Sequence, residues 1–109
     1  MRRRSLNKFG AVKTTVDAIT FDSKKEARRY QDLKLLERAG VISELCVDKK
    51  QLRYSLVVNS EKICTYVADF RYVENGRTVI EDTKGFKTPE YKLKAKLMKA
   101  CHGIEIREI

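Results

Sequence analysis

The chain alternates between stretches patterned for strands and stretches patterned for helices. Residues 14 to 22 (TTVDAITFD) alternate β-branched and polar side chains around Asp17-Ala18, which predicts a short extended segment or hairpin. Ser23 and Glu26 then have the spacing of a capping box, and Gly40 stands where a helix stops, so a helix is predicted from Lys24 to Ala39. Strand-like stretches follow near Ile42 to Val47 and Gln51 to Val58, with a break at Asn59-Ser60. Residues 62 to 73 (KICTYVADFRYV) and 77 to 83 (RTVIEDT) are rich in β-branched and aromatic types. The Asn75-Gly76 pair between them suits a two-residue type I′ hairpin turn, whose central positions both need positive φ. With that loop Glu74 pairs with Arg77, and the numbers of every cross-strand pair sum to 151.

Thr88-Pro89 supplies an N-cap with proline at the first helical position, and Gly103 closes the helix. Leu93, Leu97 and Ala100, at i, i+4 and i+7, are the expected apolar stripe. Residues 104 to 109 (IEIREI) alternate strictly and predict a final strand, which a strand-helix-strand connection sets parallel to the strand before the helix. The order α, β-meander, α, β predicts one α/β domain of the α+β type with a mixed sheet, over residues 14–109, preceded by a basic arm over residues 1–13.

Composition narrows the classes. At 109 residues the chain is too short for two independent cores, and 42% hydrophobic residues is too much for a disordered polybasic tail. Lys and Arg number 24 against 15 Asp and Glu, a net charge of +9 that points to a polyanionic partner. No apolar run reaches the roughly 18 residues of a membrane helix, so no membrane partner is expected. Arg2, Arg3 and Arg4 imitate the start of a signal peptide, but no apolar stretch follows them, so the expected location is cytoplasmic. Cys46, Cys64 and Cys101 are odd in number and widely spaced, which indicates reduced thiols rather than a disulfide framework or zinc site.

The register carries chemistry. Asp69 falls opposite Asp82, and directly opposed residues project to the same face, their Cβ atoms about 5 Å apart. Like charges so placed need neutralising, and a divalent cation such as Mg²⁺, which takes one or two carboxylates with water and phosphate oxygens, would do so. Lys84, two residues past Asp82, alternates onto the same face. The plain alternative is solvated charge on an edge hairpin. Glu81 is acidic too, but alternation turns it to the opposite face beside Phe70.

Asp69, a spacer across a hairpin and Asp82-Thr83-Lys84 resemble the acidic motif of the PD-(D/E)XK nuclease superfamily in its D-x-K form, with Ala68 where the motif has proline. The order of elements resembles that superfamily's restriction-endonuclease-like αβββαβ core. FDSKKEARRYQDLKLLERAG (21 to 40), YVADFRY (66 to 72) and EDTKGFKTPEYKLK (81 to 94) are similar to a family of small phage-encoded proteins. Its members are left as domains of unknown function or labelled endonuclease-like or Holliday-junction-resolvase-like. The resemblance implies a Mg²⁺-dependent DNA endonuclease, with Mn²⁺ as a substitute ion. Asp69, Asp82 and the Thr83 backbone carbonyl would be ligands, and Lys84 would position water or stabilise charge. It offers Glu26 as a further carboxylate, although Glu26 also suits a capping-box role. Phage origin would place the protein in the bacterial host cytoplasm, and likeness to resolvases implies a homodimer.

Lys92, Lys96 and Lys99 lie within an arc of about 60° on the second helix, while Lys24, Lys25, Arg28 and Arg29 crowd the start of the first. Lys87 and Tyr91 follow the motif strand closely. These residues, with Arg2, Arg3, Arg4, Lys8 and Lys13 of the arm, are the expected phosphate contacts, against the plain reading of solvated helix faces. A solitary His102 reads as a helix-end or surface group. The competing functional reading is a non-catalytic nucleic-acid-binding protein that retains the nuclease fold; a ribosome-associated protein would leave the facing aspartates unexplained.

Overall fold

Local sequence signals set most element boundaries. The computed structural model describes residues 12–109, so residues 1–11 of the expected arm, with Arg2, Arg3, Arg4 and Lys8, lie outside the described residues. The first elements are β1 (Thr14–Val16) and β2 (Ile19–Phe21), an antiparallel hairpin turning on Asp17 and Ala18 at φ 53° and 62°. The left-handed region costs an L-residue roughly 1 kcal/mol or more, and Ala18 has no polar side chain to offset it. Ala18→Gly is expected to raise stability by about 0.5 to 1 kcal/mol, measured by thermal or urea denaturation; a loss of stability would contradict this account of the turn.

Helix α1 (Lys24–Arg38) starts where the Ser23 hydroxyl accepts from the Glu26 amide, 3.1 Å. It ends at Arg38, one residue inside the expected end, with Ala39 as its C-cap, and Gly40 turns away at φ 81°. Helix α2 (Pro89–His102) is capped by Thr88, which accepts from the Tyr91 amide, and ends at Gly103 with φ 66°. The intervening strands are β3 (Ser43–Cys46), β4 (Arg53–Val58), β5 (Glu61–Val67), β6 (Phe70–Glu74) and β7 (Arg77–Asp82), and β8 (Arg107–Glu108) closes the chain.

The molecule is a single α+β domain. Its central mixed sheet has the order β3-β6-β7-β8, with β8 parallel to β7 as expected and the other neighbours antiparallel. The element order α1-β3-β6-β7-α2-β8 matches the expected αβββαβ, with the β4–β5 hairpin added between its first two strands. The β6–β7 register is the expected one, from Glu74↔Arg77 to Phe70↔Glu81.

Three expectations are corrected. Residues 62 to 73 do not form one strand: β5 pairs with β4, and the chain changes sheet at Ala68-Asp69 before starting β6. The Ala68 amide bonds the Leu52 carbonyl and the Asp69 amide bonds the Glu81 carbonyl, so adjacent residues belong to different sheets. Of the expected helix α2 stripe, Leu97 packs partly buried against the core beside Tyr91, Ala95 and Met98, whereas Leu93 is 54% exposed and Ala100 is exposed. Tyr91 and Met98 pack with Leu52, Leu56, Tyr66 and Ile80, a surface that β4, β5 and β7 create together. The last strand is two residues long, because only Arg107 and Glu108 pair with β7.

Strand alternation then divides the core. Helix α1 and β2 cover one sheet face through Phe21, Ala27, Tyr30 and Leu33 against Phe70 and Tyr72. Helix α2 and the β4–β5 hairpin cover the other face at Ile80. Among the described residues no helix is long and apolar enough to cross a membrane.

Candidate functional site

One end of the central sheet gathers acidic side chains from three elements. Asp69 sits at the β5–β6 sheet change and Asp82 ends β7, while Glu26 comes from the first turn of α1. Regular pairing stops at Phe70↔Glu81, so Asp69 and Asp82 are not a ladder pair as expected. Asp69 instead reaches one residue further: its Oδ2 accepts from the Thr83 amide (2.9 Å) and hydroxyl (2.8 Å), extending the β6–β7 connection by a side chain. Asp82 is 2% exposed, and its Oδ2 accepts from the Tyr66 hydroxyl at 2.6 Å. Its Oδ1 is buried with no hydrogen-bond partner among the described residues.

Lys49, in the turn between β3 and β4, points into this cluster. Its ammonium donates to Glu26 Oε2 (3.2 Å), Asp69 Oδ1 (3.1 Å) and the Ala68 carbonyl (3.3 Å). Glu26 is 4% exposed and directs its carboxylate to Lys49, while its own amide uses the Ser23 cap. Its backbone thus belongs to the helix start, while its side chain joins the cluster.

Burial, followed by the Asp69 charge, pushes the Asp82 carboxyl up to about 6, against the opposing effects of the Tyr66 hydrogen bond, Lys84 and Lys49. Glu26 is raised by burial and by Asp69, with Lys49 working the other way. Burial acts to lower Lys49, but Asp69 and Glu26 outweigh it and hold the ammonium above its ordinary range. Tyr66 is raised by burial and by Asp82, so it stays a hydroxyl donor. The cluster thus holds more negative charge than its hydrogen bonds satisfy.

Lys84, just past β7, lies exposed with its ammonium 5.4 Å from the Tyr91 ring centroid, and its charge is felt at Asp82. Beside it a pocket of about 250 Å³ is lined by Thr65, Tyr66, Lys84, Thr88, Tyr91 and Lys94 among others. Glu81 faces the α1 side, as alternation requires, and is fully buried. Its carboxylate takes a bidentate pair from Arg29 (2.9 and 2.6 Å) and a hydrogen bond from the Tyr72 hydroxyl.

The expected phosphate contacts separate into groups. Lys24, Lys25 and Arg28 are exposed, with no carboxylate partner among the described residues. Arg29 is instead committed to Glu81, and Lys87 pairs with Glu108. Tyr91 is 5% exposed and donates its hydroxyl to Glu108, so it is a core residue rather than a surface contact. Lys92, Lys96 and Lys99 are exposed, as expected of a stripe, but Lys96 and Lys99 line the β8 flank of α2, away from the flank carrying Lys84 and Lys94. Lys13 is exposed before β1. His102 contacts the Ser55 carbonyl (2.8 Å), tying the end of α2 to β4.

Lys49 and Tyr66 are site residues that the sequence pattern did not single out. The available signal was Lys49-Lys50 in a turn that has to end near the start of β6, but this depends on the sheet change at Ala68. Among the described residues, no three His, Cys, Asp or Glu side chains stand close enough to form a metal cage by themselves.

The molecule is thus a small α+β domain with a lysine-bridged carboxylate cluster at one end of a mixed sheet. The chain belongs to the family described as "Protein of unknown function (DUF1064)", whose model matches residues 6–107. No curated protein and no solved structure matches it.

Proposed function

We propose that the protein is a Mg²⁺-dependent DNA endonuclease acting on branched DNA. The observation that carries this reading is the meeting of Glu26, Asp69 and Asp82 with Lys49 and Lys84, where Asp82 Oδ1 is buried and unpartnered. A +9 chain that binds nucleic acid by charge alone has no need of such a cluster. The donors fit a hard divalent ion, since they are oxygens, and Mg²⁺ is commonly held by one or two carboxylates with water and phosphate rather than by an all-protein cage. Asp69 and Asp82, with the Thr83 carbonyl, would hold it, and Mn²⁺ would substitute. Such an ion supplies Lewis-acid polarisation of the scissile phosphate and lowers the pKa of water.

The remaining steps belong to side chains. The Thr83 amide and hydroxyl fix the Asp69 carboxylate, and the Tyr66 hydroxyl fixes Asp82. Lys84 brings positive charge to the edge of the pocket, where it stabilises charge developing on phosphorus. Lys24, Lys25 and Arg28, at the start of the helix that carries Glu26, offer phosphate contacts, and Lys92, Lys96 and Lys99 a second basic face. Contacts of this kind position DNA without reading bases. A homodimer suits a junction, whose strands are related by two-fold symmetry, and the bacterial host cytoplasm suits a phage protein.

One observation favours a second reading, a non-catalytic nucleic-acid-binding protein: Lys49 already supplies a cation to Glu26 and Asp69. Incubation with four-way junction, flap, duplex and single-stranded DNA separates the two. Cutting of branched DNA in Mg²⁺ but not in EDTA is the expected result. Salt-sensitive binding with no cutting of any form would favour the second reading, and cutting that persists in EDTA would overturn the metal.

A further inference from the structure

The cluster has two places for a cation, and they differ in what fills them. Between Glu26 and Asp69, three oxygens already surround one ammonium: Glu26 Oε2, Asp69 Oδ1 and the Ala68 carbonyl, all within 3.3 Å of Lys49 Nζ. Asp69 Oδ2 is taken by Thr83, and Asp82 Oδ2 by Tyr66. Among the described residues, the buried oxygen left without a partner is Asp82 Oδ1. Glu26, Asp69 and Asp82 bring three negative charges, and Lys49 and Lys84 bring two positive ones. A single divalent ion changes this local balance from minus one to plus one, whereas two would leave a strongly positive centre.

We propose that Lys49 is a built-in second cation: its ammonium occupies the place between Glu26 and Asp69, so the chain binds one divalent ion, at Asp69 and Asp82. This deepens the nuclease reading and rests on it for the ion at Asp82. Lys49 acts as a positioning residue, holding Glu26 and Asp69 together without being displaced. Glu26 is then a ligand of the lysine and not of the metal.

The test is the number of Mn²⁺ ions bound per full-length chain, read by titration calorimetry and by electron paramagnetic resonance of free Mn²⁺. Wild type is expected to bind one. Lys49→Met opens the Glu26–Asp69 place and is expected to bind one more ion than wild type, and Lys49→Met/Glu26→Gln is expected to lose the extra ion. Lys49→Gln, whose amide still offers donors to both carboxylates, guards against a folding defect and is expected to gain the same ion. Two ions in wild type, or no increase in both Lys49 variants, would overturn the proposal even if the protein cuts DNA. An increase of one in the Lys49 variants supports it even if wild type proves not to cut DNA, so the two readings fail separately.

Discussion

Asp82→Asn is expected to melt above wild type when both are held in EDTA. The Asp82 carboxyl is nearly fully buried and is pushed up from 3.8 to about 6, chiefly by burial and then by Asp69. A shift of that size corresponds to an upper bound of about 3 kcal/mol for holding the ionised form at neutral pH. An asparagine oxygen still accepts from Tyr66, so the neutral side chain keeps the observed bond and loses the repulsion. A net gain of about 1 to 2 kcal/mol follows, or roughly 5 to 10 °C in Tm for a domain of this size. The sign of the pH dependence is fixed. The folded state holds the proton more tightly than the unfolded state, so this residue's contribution is most favourable below about pH 4 and is lost as pH rises through 6. The gap between variant and wild type should therefore widen from pH 4 to 6 and level off above 7. Equal melting temperatures at pH 8 would contradict a strained Asp82.

Arg29→Met should have the opposite effect, costing about 3 kcal/mol and lowering Tm by roughly 15 °C. Glu81 is fully buried, and Arg29 supplies both members of its bidentate pair. Removing the guanidinium leaves a charged carboxylate with the Tyr72 hydroxyl as its remaining bonded partner. Arg29→Met/Glu81→Gln should recover more than half of the loss, because the buried charge is gone. Denaturation curves of the three proteins check this, and a single variant as stable as wild type would remove the structural role assigned to Arg29. The same result bears on DNA binding, since an arginine locked to Glu81 is a poor phosphate contact.

The two predictions separate adjacent carboxylates that look alike in sequence. Glu81 and Asp82 are consecutive, and alternation alone sends one toward α1 and the other toward α2. Glu81 meets an arginine and a tyrosine and is satisfied, while Asp82 meets one tyrosine and a second carboxylate. Local rules carried that distinction because Asn75-Gly76 sets the β6–β7 register within a few residues. The Ser23 and Thr88 caps and the Asp17-Ala18 turn were legible for the same reason.

What was not legible depends on distant backbone. The sequence from 62 to 73 has uniform strand character, and only the Leu52 and Glu81 carbonyls divide it at Ala68-Asp69. That division displaces Asp69 from its ladder position and brings in Lys49 from 20 residues away and Tyr66 from the other sheet. Helix α2 carries two apolar stripes about 160° apart on a helical wheel. The choice between them belongs to the surface made by β4, β5 and β7.

The role proposed for the Asp69–Asp82 carboxylate pair is phosphodiester hydrolysis. Its most direct test is the Mg²⁺-dependent cleavage rate of four-way-junction DNA by Asp82→Asn against wild type, at equal extents of DNA binding. The expected rate is at least about 10³-fold lower in a variant that is folded and more heat-stable than wild type. Cleavage at the wild-type rate by Asp82→Asn would contradict it.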